Sequence, residues 1–189
     1  MSRLAPRRRE DLDEAGQAVW DVFVERRTDR VIGPDGALIG PWNAMIIAPH
    51  IGAWMQGLGP ALRRISLDPR LIEIAILTTA DGWRAEFEWF GHAEMAINAG
   101  VPRATVDSLV HGARATVPSE PEQVVHDVAH QLVTTGHVDG VTYETASRLF
   151  GDVGVIELVT ICGFYAFVSF LLNTFEVSLP DGAEPVFGN

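Results

Sequence analysis

Ser66-Leu67-Asp68-Pro69-Arg70-Leu71-Ile72-Glu73-Ile74-Ala75-Ile76-Leu77, followed after a short break by Arg84-Ala85-Glu86-Phe87-Glu88-Trp89-Phe90-Gly91-His92, is the stretch whose reading decides the fold. Asp68 before Pro69 is a helix-start signal, because an Asp side chain accepts from the free amides of a first turn and proline needs no amide partner there. The apolar run behind it predicts a helix to about Ala80, with a turn at Asp81-Gly82. A second helix is expected from about Ala85 to Gly100, which supplies the stop. Two helices with so short a connection form a hairpin. Glu88 and His92 stand four apart, so a helix places them on one face. Glu73 is a lone carboxylate in an apolar helix, costly to bury unless partnered, and His92 is the partner to hand.

Working outward, the spacing of Leu12, Ala15, Val19, Val22 and Phe23 predicts an amphipathic helix to about Arg27, ended by Gly33-Pro34-Asp35-Gly36. A turn or short helix follows at Gly40-Pro41-Trp42-Asn43-Ala44-Met45, then a longer one from Pro49 to about Ile65. Further helices are expected over 102–110, 120–135, 142–150 and 153–175. No alternating strand pattern or Asn-Gly hairpin signal appears, so the fold class is all-α, a helical bundle of about seven or eight helices. A short echo links Leu71-Ile72-Glu73-Ile74-Ala75 to Val155-Ile156-Glu157-Leu158-Val159.

Composition removes several chemistries. The formal charge is −11, from 14 basic and 25 acidic residues. That balance repels phosphate backbones and anionic lipids, so no nucleic-acid partner is expected. The cluster Arg7-Arg8-Arg9 runs straight into Glu10 and Asp11 and reads as a solvated segment. Every basic residue is arginine, which excludes Schiff-base lysines and a phosphate-loop lysine. Cys162 is the one cysteine, so no disulfide or CxxC pair forms within the chain. The basic start leads into acids rather than an apolar run, and a cytoplasmic location is expected. The segment 153–175 approaches membrane-spanning length but carries Glu157, and is read as a buried bundle helix with no membrane role.

Arg70-x-x-Glu73 followed by Glu88-x-x-x-His92, with Gly91 before the histidine, resembles the carboxymuconolactone decarboxylase family, related to alkyl hydroperoxidase D. The strongest similarity spans roughly 66–102, with further likeness at Gly40-Pro41-Trp42-Asn43 and over 150–176. The peroxidase relatives have cysteines where Glu88 and Ala85 stand here, so the resemblance points to the decarboxylase branch. It implies an alkyl hydroperoxidase D-like bundle and homo-oligomers. The expected organisation is one such domain over 1–189, with an N-terminal helical extension 1–40 and a short tail 177–189.

The chemistry expected is proton transfer on a small organic acid or lactone. His92 is the candidate general acid/base, Glu88 a second proton-transferring group and Glu73 the side chain that holds the imidazole. Asn43, Trp89 and Tyr165 are candidate substrate-binding residues; Trp42, Trp83 and Phe90 are wall candidates that more simply fill core. No cofactor is expected and no metal is assigned, although two carboxylates and an imidazole on adjacent helices raise the possibility. His126-Asp127-Val128-Ala129-His130 puts two histidines on one face, but lacks the glutamate of a zinc-protease motif and reads as a polar face. His50 and His111 have no partner visible in sequence. The rival readings are a thiol-dependent peroxidase or disulfide reductase, which needs a second thiol, and a non-catalytic helical binding module.

Overall fold

A computed structural model describes residues 2–27, 31–110, 115 and 117–188; His111 lies outside them. Among the described residues eight helices follow a short 3-10 turn at Arg9–Asp11: α1 (Glu14–Arg27), α2 (Trp42–Ile47), α3 (Pro49–Ala61), α4 (Pro69–Gly82), α5 (Glu86–Asn98), α6 (Arg103–Ser108), α7 (Glu120–Thr135) and α8 (Gly140–Thr174). Among the described residues no strand occurs, only a single antiparallel bridge between Ile32 and Leu38 that closes the Gly33–Gly36 turn.

The chain divides into two compact units. The first comprises 1–63 with 171–178, so the expected extension 1–40 shares a unit with α2 and α3. Its core gathers Val19, Trp20, Phe23, Val31, Leu38, Met45 and Ile46, with the Trp42 ring tilted against Phe23. The second comprises 64–170 with 179–189, which places most of the tail in this unit.

The second unit is organised by α4. Asp68 Oδ1 accepts from the Arg70 amide at 2.8 Å and Pro69 occupies the first helical position, as its sequence predicts. Ile74, Ala75, Ile76, Leu77, Thr79 and Ala80 are all within 1% of complete burial. Each large aliphatic chain so placed contributes roughly 1.5–3 kcal/mol of transfer free energy. The turn 83–85 is fixed by Arg84 N–H to Asp81 O and Ala85 N–H to Ala80 O, both 2.9 Å. Arg84 takes φ +51°, which reverses the chain so that α5 runs back antiparallel along α4. On its other side α4 packs against α7, whose Ser119/Glu122 capping box and left-handed Gly136 mark its two ends.

α8 breaks at Gly151, where φ 63° and ψ 178° fall in a region open essentially to glycine alone. This is the boundary expected between the 142–150 and 153–175 helices. The reading of the latter as a buried helix needs correction. Leu158, Ile161, Cys162, Val168 and Leu172 are buried, but Val153, Ile156, Val159, Phe167 and Phe170 are exposed. The helix is long and apolar enough to cross a membrane by length and composition, with a third of its most apolar window buried. Apolar residues all round a helix mislead a sequence reading, because composition does not say how many faces find a neighbour.

Candidate active site

The α4/α5 hairpin brings Glu73, Glu88 and His92 together. Glu88, Trp89, His92 and Ala96 form the buried face of α5, and Glu73 projects from the facing turn of α4. The Glu73 Oε2 to His92 Nδ1 distance is 2.7 Å, and Glu88 Oε1 to His92 Nε2 is 3.2 Å. All three are buried, with 4%, 6% and 8% of their surface accessible for Glu73, Glu88 and His92. Both ring nitrogens thus face carboxyl oxygens, which in the ionised form are acceptors alone. The arrangement is satisfied by an imidazolium that donates Nδ1–H to Glu73 and Nε2–H to Glu88.

Burial opposes the charge on His92 most strongly, but the hydrogen bonds to Glu73 and Glu88 and the attraction of both carboxylates together outweigh it. The imidazole pKa is raised from 6.5 to about 9. The two ends of the clamp differ. The contact to Glu73 has the length of a charge-assisted bond, whereas that to Glu88 is longer and joins residues of one helix. Because the carboxylates sit at opposite nitrogens of one ring, they do not converge on a shared point. No group of three His, Cys, Asp or Glu side chains suited to a metal occurs among the described residues.

The other candidates fall in different surroundings. Tyr165 of α8 is half-buried and meets the His92 ring nearly perpendicularly, with centroids 5.0 Å apart. Trp89 is buried beside Glu88, and its indole meets Phe187 edge-on at 5.5 Å. Asn43 belongs to the first unit, where its carboxamide donates to Ala5 O at 3.1 Å and accepts from the Arg7 amide at 3.0 Å. Trp83 packs on Phe170, and Phe90 is exposed.

His126 is the most deeply buried histidine among those described, and a hydroxyl and a backbone amide meet its two nitrogens. Nε2 accepts from the Ala115 amide at 2.9 Å, which leaves Nδ1 to donate to Thr78 Oγ1 at 3.0 Å. His130 stacks on it at 5.7 Å. His126 therefore joins α7 to α4, and the HxxxH spacing sets the two imidazoles of α7 against each other. Glu157, the echo of Glu73, accepts from the Ser66 amide and hydroxyl at 3.0 and 2.6 Å and holds the approach to α4. Burial pushes the Cys162 thiol up to about 12, despite its hydrogen bond with Thr79. A thiol so held is not a ready nucleophile.

Sequence reasoning missed the tail. Glu86 takes the amides of Val186 and Phe187 on its two oxygens, each at 2.8 Å, and Arg84 donates to the Phe187 carbonyl. Phe187 itself is buried against Trp89. The partners are about a hundred positions apart, beyond the reach of any periodic signal; the cue was the one aromatic residue of a short tail bearing proline and glycine.

Comparison with known proteins gives the architecture a context. No protein-family profile and no curated protein matches the chain. Solved structures do. The alkylhydroperoxidase AhpD core of an uncharacterized peroxidase-related protein from Ralstonia eutropha JMP134 matches with a TM-score of 0.74, over 95% of this chain and 93% of that one, at 15% identity. The fold is that of the AhpD core. The debrominase Bmp8, solved as a cysteine-to-alanine variant in complex with 2,3,4-tribromopyrrole, has the same AhpD-like architecture: its TM-score is 0.71 at 16% identity, covering 96% and 95% of the two chains.

Proposed function

We propose that this AhpD-like chain is a carboxymuconolactone decarboxylase-like enzyme that moves protons on a small organic acid or lactone. The observation that carries the reading is the imidazole clamped between two buried carboxylates from adjacent helices. A buried imidazole that keeps its proton at neutral pH has a proton to give. In this reading Glu73 fixes the ring, His92 is the general acid and Glu88, at the looser end, is the group that first meets substrate and takes a proton from it. In a decarboxylation the carbon–carbon bond to the leaving CO2 breaks, its electron pair forms an enolate, and His92 supplies the proton that ends on carbon. Trp89 and Tyr165 provide apolar walls. Asn43 serves the N-terminal segment.

The thiol-dependent alternative is disfavoured by a single, buried and weakly acidic cysteine. A panel of aromatic-degradation lactones and keto acids, followed for CO2 release and ring absorbance together, tests the reading. His92→Ala is expected to lower turnover about 100-fold or more; undiminished turnover would leave the non-catalytic module as the better account. The exposed apolar face of α8 supports self-association with a second copy of this chain. Sedimentation at the monomer mass in dilute buffer would overturn that part.

A further inference from the structure

Glu88, Trp89 and His92 lie on the buried face of α5, with 6%, 4% and 8% of their surfaces accessible. A molecule that is to reach the clamp therefore needs one of its covers to move. The covers differ in how firmly they are held. α4 supplies Glu73 from a helix in which Ile74, Ala75 and Leu77 are completely buried. Tyr165 belongs to α8, where Leu158 and Ile161 are completely buried as well. The remaining cover is the tail. A turn closed by Ala183 N–H to Pro180 O at 3.1 Å, with Gly182 at φ +82°, leads into it. From 181 to 188 only Phe187 is buried, and its ring lies edge-on to Trp89 with centroids 5.5 Å apart. The main chain there is held by Glu86, which accepts from the Val186 and Phe187 amides at 2.8 Å each. Arg84 donates to the Phe187 carbonyl, and its guanidinium carbon lies 5.7 Å from the centre of the Phe187 ring. A segment with one buried side chain and a few hydrogen bonds at the surface opens far more readily than a packed helix.

We infer that segment 183–188 is a strap over the clamp-bearing face of α5: docked, Phe187 covers Trp89 beside Glu88 and His92; released, it uncovers that face and admits a small molecule to the clamp. Its anchors Arg84, Glu86 and Trp89 bracket Glu88 in sequence, so strap and clamp share the start of one helix. Release gives up the contacts of one aromatic ring, while the freed amides and carbonyl find water in place of their partners. Opening of this kind sets how fast molecules enter and leave and takes no part in a chemical step. It concerns access alone, and is independent of which reaction the clamp performs.

The test reads access to His92 directly, with diethyl pyrocarbonate as the probe. The reagent transfers an ethoxycarbonyl group to the nitrogen of an imidazole it can reach, releasing ethanol and CO2, and peptide mass spectrometry follows each histidine of the full chain separately at one pH. Phe187→Ala removes the buried ring and is expected to raise the rate at His92 about tenfold or more. Glu86→Ala removes the acceptor of both amides and should act in the same direction. Val186→Ala changes an exposed side chain and keeps the amide, so the rate at His92 should stay as in the native chain. His126, held on α7 by Thr78 and the Ala115 amide, is the reference and should be unchanged in all three variants. An unchanged rate at His92 in Phe187→Ala would overturn the strap, and so would a rise at His92 matched by one at His126, which reports general loosening. No substrate enters the measurement, so the proton-transfer reading stands or falls separately, on its panel of lactones and keto acids.

Discussion

α4 offers a buried histidine on each of its two packed sides, and the two differ in everything but burial. Toward α5, Glu73 meets His92, whose other nitrogen meets Glu88. Toward α7, Thr78 meets His126, whose other nitrogen receives the Ala115 amide. Burial alone disfavours a charged ring at both places. The partners reverse that at one of them: carboxylates only accept, so His92 carries both protons, while an amide only donates, so His126 gives up one. A buried histidine therefore takes its role from the hydrogen-bonding sense of what it touches. The i,i+4 spacing that marks His126 and His130 as readily as Glu88 and His92 says nothing of that sense.

The comparison can be broken by titration. His92 gains its proton affinity on folding, from the ordinary 6.5 to about 9. Its contribution to stability is complete below pH 6.5 and is lost as the pH rises toward 9, a change of about 3 kcal/mol. Denaturant unfolding at pH 6 and at pH 9.5 should show that loss in the native chain. His126→Gln should keep the slope while lowering stability throughout, and His92→Gln should flatten it. An unchanged slope in His92→Gln would remove the charged clamp from the account.

A smaller effect separates the packing of the two sides. A Cβ added at Gly82, at the end of α4, would lie 2.4 Å from Val133 Cγ2 of α7, whereas one added at Gly91 of α5 meets nothing within 4 Å. Gly82→Ala is expected to cost about 1–3 kcal/mol through overpacking. Gly91→Ala should stabilise by about 0.5–1 kcal/mol, because alanine is the better helix residue and the space is open. Thermal unfolding of the pair reads both signs. Destabilisation by Gly91→Ala would mean that the α5 surface next to His92 is more tightly covered than its geometry shows.

Much of this was legible in one dimension because it is local. Asp68-Pro69 announced α4, and the break near Gly151 the two parts of α8. Glu88 and His92 were legible as a pair because a helix fixes residues four apart. Glu73 was legible because a carboxylate among Leu71, Ile72, Ile74 and Ile76 needs a reason to be there. The place of Asn43 in the N-terminal unit, the hydroxyl and amide that meet His126, the clasp of Phe187 by Arg84 and Glu86, and the bare face of α8 were not legible. Each depends on which distant segment arrives at a given surface.

Sequence by itself determined the helices, their ends and the set of ionisable residues a hairpin would bring within reach, since backbone hydrogen bonding and side-chain period act over a few residues. Tertiary structure alone decided that both nitrogens of His92 face acids while those of His126 meet a hydroxyl and a backbone amide. It also decided that the tail folds back on Trp89. The charge of a buried group is set by the few atoms packed around it, and those atoms come from parts of the chain that sequence spacing does not relate.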